Sequence, residues 1–392
     1  MNPIIAFLES ARPNFLSDLA ALVNVDCGTH NKAGVDAVGE WIGARCAAWG
    51  WEVQRLPQVE YGDCWLARLR GDGVGRLLLM GHLDTIYPDG TAAARPMRLA
   101  GAKIVGPGTC DMKGGLLVGM YALRALQTTD FRGFSELAFF FNSEEEVSSP
   151  VSQSLYAPIA REMDAVLVLE SARANGDIVS ARKGSGEYTI RVIGKAAHAG
   201  VEPEKGANAI LELAHQIMAL HRLNGLAPGV TVNAGVIGGG TKSNVVAAEA
   251  WVRVDARAAD PAGAEALAQA IADLAGHTTI PRTQVEVAGG FHYPPMAKTP
   301  AVALLVEFAR NAARDLGFEV NDAATGGASD ANIIAALGVP VLDGLGPVGG
   351  LDHSPDEYIE ADSIVPRTAL VAGLIQLILS QREGLISVGS HT

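Results

Sequence analysis

The sequence predicts an α/β protein with a mixed, mostly parallel sheet, interrupted by an inserted ferredoxin-like α+β module. Three observations carry this. Over residues 1–183, short continuous apolar runs alternate with helix-periodic segments, as in sheets covered by helices on both faces. From about Gly184 the order becomes strand, helix, strand, strand, helix, strand, which is the ferredoxin-like unit. Beyond residue 296 the helix and strand alternation resumes. The expected division is therefore a larger domain in two parts, 1–183 and 297–392, split by an insertion at 184–296. A chain of 392 residues exceeds the usual single domain. Two lobes joined by two chain crossings would permit a hinge.

In the first part, GRLLLMGHLDT, ELAFFFNSEEE and DAVLVLES each hold a short apolar, partly β-branched run that reads as a buried strand. KGGLLVGMYALRALQ has helical spacing through Leu116, Met120 and Leu123. In the insertion, GEYTIRVIG alternates as a half-buried strand does, and NAILELAHQIMAL puts Ile210, Leu213, Ala214 and Ile217 on one helical face. TVNAGVIG and EAWVRVDAR read as two further strands. Asp260 followed by Pro261 starts a helix that buries Leu267, Ile271 and Leu274, ahead of a last strand in TQVEVAGG. After the insertion, VALLVEFARNAARDLG is helical and GVPVLDGLG strand-like, before the loop PVGGLDHSPDEY.

Composition narrows the partners. Hydrophobic residues make up 48% and charged residues 19%, as in folded globular proteins. With 30 Lys+Arg against 43 Asp+Glu the formal charge is -13, which argues against nucleic acid as a partner and suits metal cations. Cys27, Cys46, Cys64 and Cys110 form no CxxC pair or disulfide framework, which points to a reducing compartment. The start MNPIIAFLESARPNF lacks a basic n-region and a continuous apolar h-region, and no apolar run is read as long enough to span a membrane. The expectation is a cytoplasmic protein with no membrane partner. The tail ISVGSHT carries no usable pattern.

The charged residues gather at strand ends. His82 and Asp84 follow LLLMG, Glu144, Glu145 and Glu146 follow AFFFNS, and Glu170 follows VLVL. Open α/β sheets bind ligands just beyond the carboxyl ends of their strands, so these residues should converge on one crevice. Asp111 in GPGTCDMKGG and His353 in GGLDHSPDEY lie in Gly-rich loops able to enter it. A single His after a strand is more often a hydrogen-bonded surface or core residue, and a Glu triplet is usually a solvated loop. Recurrence after separate strands favours a metal site instead. Crowded carboxylates repel unless cations neutralise them, and two imidazoles with three or four carboxylates supply ligands for a pair of metals bridged by one carboxylate.

GHLDT, GTCDMKGG, NSEEE, VLES, GKAAHAG and LDHSPDEY, in that order and around that insertion, resemble the M20 metallopeptidases, in particular their glutamate carboxypeptidase (carboxypeptidase G2-like) branch. VDCGTHNKAGVD is similar to the family's N-terminal signature. The resemblance implies a phosphorylase/hydrolase-like di-zinc catalytic domain and an inserted lid and dimerisation domain. By resemblance, His82 and Glu170 hold one zinc, Glu146 and His353 the other, and Asp111 bridges both, with cobalt or manganese as possible substitutes. Glu145 is then the general base, Asp84 the partner that fixes the His82 ring, and Asp111–Met112 a cis peptide. His198 resembles a lid histidine that reaches the partner subunit's site in dimeric members and stabilises the oxyanion. Asn244 and Arg257 match lid positions that hold a substrate carboxylate or carbonyl, for which the planar Arg fork is suited. Gly326 and Gly327 in TGGASDAN resemble a substrate-loop turn.

One segment departs from the branch. The lid's last strand leads into GGFHYPPM, with His292 and Tyr293 where the branch carries an arginine that grips the substrate's terminal carboxylate. The released residue is therefore left open, glutamate or another. The expected activity is removal of a C-terminal amino acid from a small peptide or N-acyl amino acid, or an aminoacylase reaction on small N-acyl groups. A metal-binding protein without catalysis is disfavoured because Glu145 and all the ligand positions are filled. The glycines of GDGVG precede a strand, so they do not form a phosphate loop.

Overall fold

The computed structural model describes residues 2–389 of the chain. These divide into two compact units, 2–180 with 298–324 and 333–389, and 181–297 with 325–332. The chain passes between units at 180/181, 297/298, 324/325 and 332/333, where the sequence reading has two crossings. Thr325–Asn332 thus falls in the smaller unit, whereas that reading puts it in the second part of the larger domain. The reason is a set of bonds invisible in sequence: the Asn332 side-chain amide donates to the Lys183 and Pro294 carbonyls, and Lys183 N–H donates to the Thr325 carbonyl.

In the larger unit a six-stranded sheet runs in the order Glu52–Leu56, Cys64–Arg70, Glu136–Asn142, Arg76–His82, Ala165–Val168, Val341–Leu342. The last four are mutually parallel and the first two antiparallel. The central strands are buried along almost their whole length, which is why they read as continuous apolar runs. Phe139 and Phe141 stack with ring centroids 4.1 Å apart beneath the helix Gly114–Thr128. The start of that helix presses on the sheet because residue 115 is glycine: a Cβ there would lie 1.9 Å from the Leu169 carbonyl oxygen.

A second helix corrects an expectation. Ala361–Ser380 is apolar and long enough to cross a membrane by length and composition. Two-thirds of it is buried inside the larger unit, packed on Pro3–Val23, Gly114–Thr128 and Pro300–Asp315, so it is a core helix, apolar on most sides because most sides are covered. Its buried Arg367 donates to the carbonyls of Gly176, Gly344 and Gly346.

The smaller unit holds an antiparallel sheet in the order Thr231–Gly239, Glu249–Ala258, Gly184–Ile193, Gln284–Tyr293, with helices Ala209–His221 and Pro261–Asp273. This is the ferredoxin-like arrangement. Asp260 caps the second helix by accepting from Gly263 N–H at 2.8 Å, and Leu267 and Ile271 are buried. The last strand runs on through Gly289 and Gly290 to Tyr293, further than TQVEVAGG suggests, with a bulge between Phe291 and Tyr293.

The first helix sits rotated from its expected face. Ile210, Leu211 and Met218 are exposed, while Glu212 and Gln216 point inward. Glu212 is held there because its carboxylate accepts from the Thr279 and Ile280 N–H groups and from the Gln216 amide. A buried acid with those partners outweighs the pull of two apolar side chains.

Candidate metal centre and active site

The carboxyl ends of the three central parallel strands deliver His82, the Glu144–Glu146 turn and Glu170 to one edge of the larger unit. Asp111 arrives from the turn Thr109–Lys113, where the Asp111–Met112 peptide is cis, as the resemblance implies. His353 arrives from the loop between two short strands, Gly349–Gly350 and Tyr358–Glu360. Asp111 lies between the two imidazoles. Its Oδ1 is 2.9 Å from His82 Nε2 and its Oδ2 is 3.0 Å from His353 Nε2. Glu170 lies 3.6 Å from His82 Nε2, and Glu146 lies 3.3 Å from His353 Nε2. Ligand atoms of His82, Asp111 and Glu146 fall within 4.8 Å of one another. The donor set is mixed nitrogen and oxygen around one shared carboxylate, and it fits a pair of borderline or hard divalent cations.

Electrostatics point the same way. Burial disfavours charge on His82, but hydrogen bonds to Asp111 and Asp84 raise its pKa well above the usual imidazole range. His353 is pushed up to about 11 by its hydrogen bonds to Asp111 and Glu146. Burial pushes Asp111 up, yet the bonds from His353 and His82 outweigh it and hold the carboxyl below its ordinary range. Burial raises Glu146, and His353 offsets this only in part. Without cations the cluster keeps its negative charge tolerable by holding protons on the imidazoles.

Asp84 organises the turn beside it. Fully buried, its carboxylate lies 3.2 Å from His82 Nδ1 and accepts from Thr29 Oγ1 at 2.7 Å, Glu145 N–H at 3.2 Å and Glu146 N–H at 3.3 Å. The Asp84 carbonyl lies 2.9 Å from the same imidazole nitrogen. One side chain therefore orients the His82 ring and sets the backbone that carries both Glu145 and Glu146.

The three glutamates divide their work. Glu144 is fully buried, accepting from Ser143 Oγ and from the Val151 and Ser152 N–H groups at 2.9, 3.0 and 2.5 Å. It closes the loop and does not join the cluster. The sequence reading brings all three acids to the crevice; the structure sets Glu144 apart through backbone donors at Val151 and Ser152, which leave no cue in the sequence. Glu145 is half-buried and adjacent to Glu146 in a single turn of 3₁₀ helix. Beside Asp84, residues 28–31 and 85–89 line an open groove of about 350 Å³.

His198, Asn244, Arg257 and Gly327 all belong to the smaller unit. His198 bridges to Val245, and Ala199 N–H donates to the Asn244 carbonyl at 3.0 Å, so those two segments lie side by side. Arg257 directs its fork at Asp255, with Nε 3.0 Å from both carboxylate oxygens and Nη2 at 2.8 Å from one. Its Nη1 faces the Gly326 carbonyl at 3.5 Å. Gly327 offers its carbonyl to Arg182 at 3.1 Å.

A two-unit α/β chain with imidazoles and carboxylates converging at the ends of parallel strands defines a metallohydrolase. Residues 78–377 match the model of peptidase family M20/M25/M40. The chain belongs to that family and is an enzyme of its metallopeptidase and amidohydrolase class. It is 31% identical over 382 residues to carboxypeptidase G2 of Pseudomonas sp. (strain RS-16), covering 95% of this chain and 91% of that protein. It is 29% identical over 395 residues to acetylornithine deacetylase of Proteus mirabilis (strain HI4320), covering 94% and 96%. The crystal structure of aminopeptidase PepT from Bacillus cereus ATCC 10987 shares the fold, with a TM-score of 0.78 at 24% identity over 94% of this chain and 98% of that one.

Proposed function

We propose that this enzyme is a di-zinc hydrolase of carboxypeptidase type, releasing a C-terminal amino acid from a small peptide or an N-acyl amino acid. The observation that carries the reading is the Asp111 carboxylate set between His82 and His353 at 2.9 and 3.0 Å. His82, Glu170 and Asp111 would hold one cation and His353, Glu146 and Asp111 the other, with cobalt or manganese able to replace zinc. Bound there, the cations lower the pKa of a water and polarise the carbonyl to be attacked. Glu145 takes a proton from the water as its oxygen bonds to the carbonyl carbon, then returns that proton to the amine nitrogen, which leaves with the C–N bonding pair to give a carboxylic acid and a free amine. Asp84 keeps the His82 ring and the Glu145 backbone in register for this. The groove lined by residues 28–31 and 85–89, at about 350 Å³, has room for an acyl group or a side chain.

In the smaller unit, His198, Asn244 and Arg257 carry the chemistry to hold a carbonyl or a carboxylate, and Gly327 the bare backbone that admits a close approach. A substrate carboxylate competes with Asp255 for the Arg257 fork, which favours no strict glutamate grip. That competition, together with the kinship to acetylornithine deacetylase, makes N-acyl amino acid deacylation the second reading. Rates on dipeptides and on a panel of acyl amino acids, with apo-enzyme reloaded by measured zinc, decide between them. Selectivity for the released residue supports the carboxypeptidase reading, and selectivity for the acyl group supports the deacylase. No zinc-dependent hydrolysis of any amide removes both.

We also propose a cytoplasmic homodimer formed through the smaller unit. All four cysteines are buried thiols. The edge strand Thr231–Gly239 exposes Val236 and Ile237, and the helix Ala209–His221 exposes Ile210, Leu211 and Met218, a set of apolar groups and an unpaired ladder suited to a second copy. Sedimentation at micromolar concentration is expected to give a dimer that Ile237→Lys dissociates. A monomeric wild-type chain removes this part of the reading.

A further inference from the structure

We infer that Glu357 is a positioning residue that locks the two ligand-bearing loops of the metal centre to each other; the inference rests on the reading above. Glu357 is almost fully buried, and it lies four positions after His353 on the same loop. Its Oε1 accepts from the Cys110 and Asp111 N–H groups at 2.7 and 3.0 Å, and its Oε2 from Gly108 N–H at 2.8 Å. Tyr87 Oη lies 2.7 Å from Oε2 and 2.9 Å from the Ser354 carbonyl, so the phenol touches both ends of that loop. The Glu357 carbonyl in turn accepts from Gly106 N–H. A single residue thus stitches the turn Gly106–Asp111, the loop at Tyr87 and the His353 loop.

Both loops need such a stitch. Leu351 and His353 sit at φ 58° and 60°, the left-handed region in which residues with a Cβ are disfavoured. The backbone of Asp111 would otherwise present its N–H to the core without a partner. Three consecutive or near-consecutive N–H groups aimed at one carboxylate fix where the Asp111 side chain points, and the chain link from Glu357 back to His353 fixes the second imidazole relative to it. Glu357 touches neither imidazole nor the Asp111 carboxylate, so it acts through the placement of those ligands.

Glu357→Gln is the sharpest test. The amide oxygen keeps the Cys110 and Asp111 donors, but its NH₂ then faces Gly108 N–H, donor against donor. Apo wild-type and variant are titrated with Zn²⁺ against a chromophoric chelator, and the visible spectrum of the Co²⁺-loaded proteins is recorded alongside thermal melting. The expected result is a folded variant whose cation affinity falls roughly 10–100-fold, as for other groups that orient metal ligands, with an altered Co²⁺ spectrum and turnover that recovers at excess metal. A Glu357→Gln protein with wild-type affinity and spectrum overturns the inference, whatever its melting temperature. Should that variant not fold, Tyr87→Phe decides: a severalfold loss of affinity supports the clamp, and unchanged affinity overturns it. A wild-type chain that binds no cation sinks the proposed function instead, so the two failures are distinct.

Discussion

Glu145→Gln is expected to lower kcat by about 10²–10⁴-fold, the usual contribution of a positioned proton acceptor, while two cations per chain still bind. The substitution keeps the side chain's size and its place, because that place is set by the backbone bond from Glu145 N–H to buried Asp84. It removes only the capacity to take a proton. KM should change little, since the amide still fills the same volume beside the substrate. Turnover and metal content measured on the same preparation check this. A variant with wild-type kcat shows that another group moves the proton, and a variant that loses its metal shows that Glu145 is a ligand.

Asp111→Ala has the other large effect. Its carboxylate lies within hydrogen-bond reach of both imidazoles, so its removal would take a shared oxygen donor from the site. Affinity at both positions is expected to fall by more than the 10–100-fold typical of outer partners, and activity with it. A second readout follows from charge. In the wild-type apo-protein His82 and His353 are held protonated, His353 up to about 11, so at neutral pH a cation must displace those protons and its affinity weakens as pH falls. In the variant each imidazole loses one of the acceptors that raise it, His82 keeping Asp84 and His353 keeping Glu146, so both are held up less and proton release on loading shrinks. Calorimetry in buffers of different ionisation enthalpy reads that release directly. Two tightly held cations in Asp111→Ala would refute the bridging role.

Much of the centre is legible in the chain because strand ends are legible. A buried parallel strand is mostly apolar, so the polar residues that follow LLLMG, AFFFNS and VLVL mark where each strand ends, and parallel neighbours end on the same side. That logic reaches His82, Glu145, Glu146 and Glu170 without reference to tertiary contacts. It cannot separate Glu144 from its neighbours, since its partners at Val151 and Ser152 are backbone groups, and every residue type offers those. Glu357 escapes for the same reason: a glutamate in LDHSPDEY reads as solvated, and only the fold brings Gly108, Cys110 and Asp111 to it. Glu212 shows the limit of periodicity itself. The helical spacing of Ile210 and Ile217 is real, but the inward side is decided by the N–H groups at Thr279 and Ile280, far along the chain.

The split ownership of residues 325–332 bears on how such enzymes can be recombined. A graft that exchanged only 181–297 would leave behind Asn332, whose amide closes on the Lys183 and Pro294 carbonyls, and would mate a foreign module to a native octapeptide. Moving the smaller unit from one relative to another therefore requires two separated cassettes carried together, with the Asn332 contacts intact.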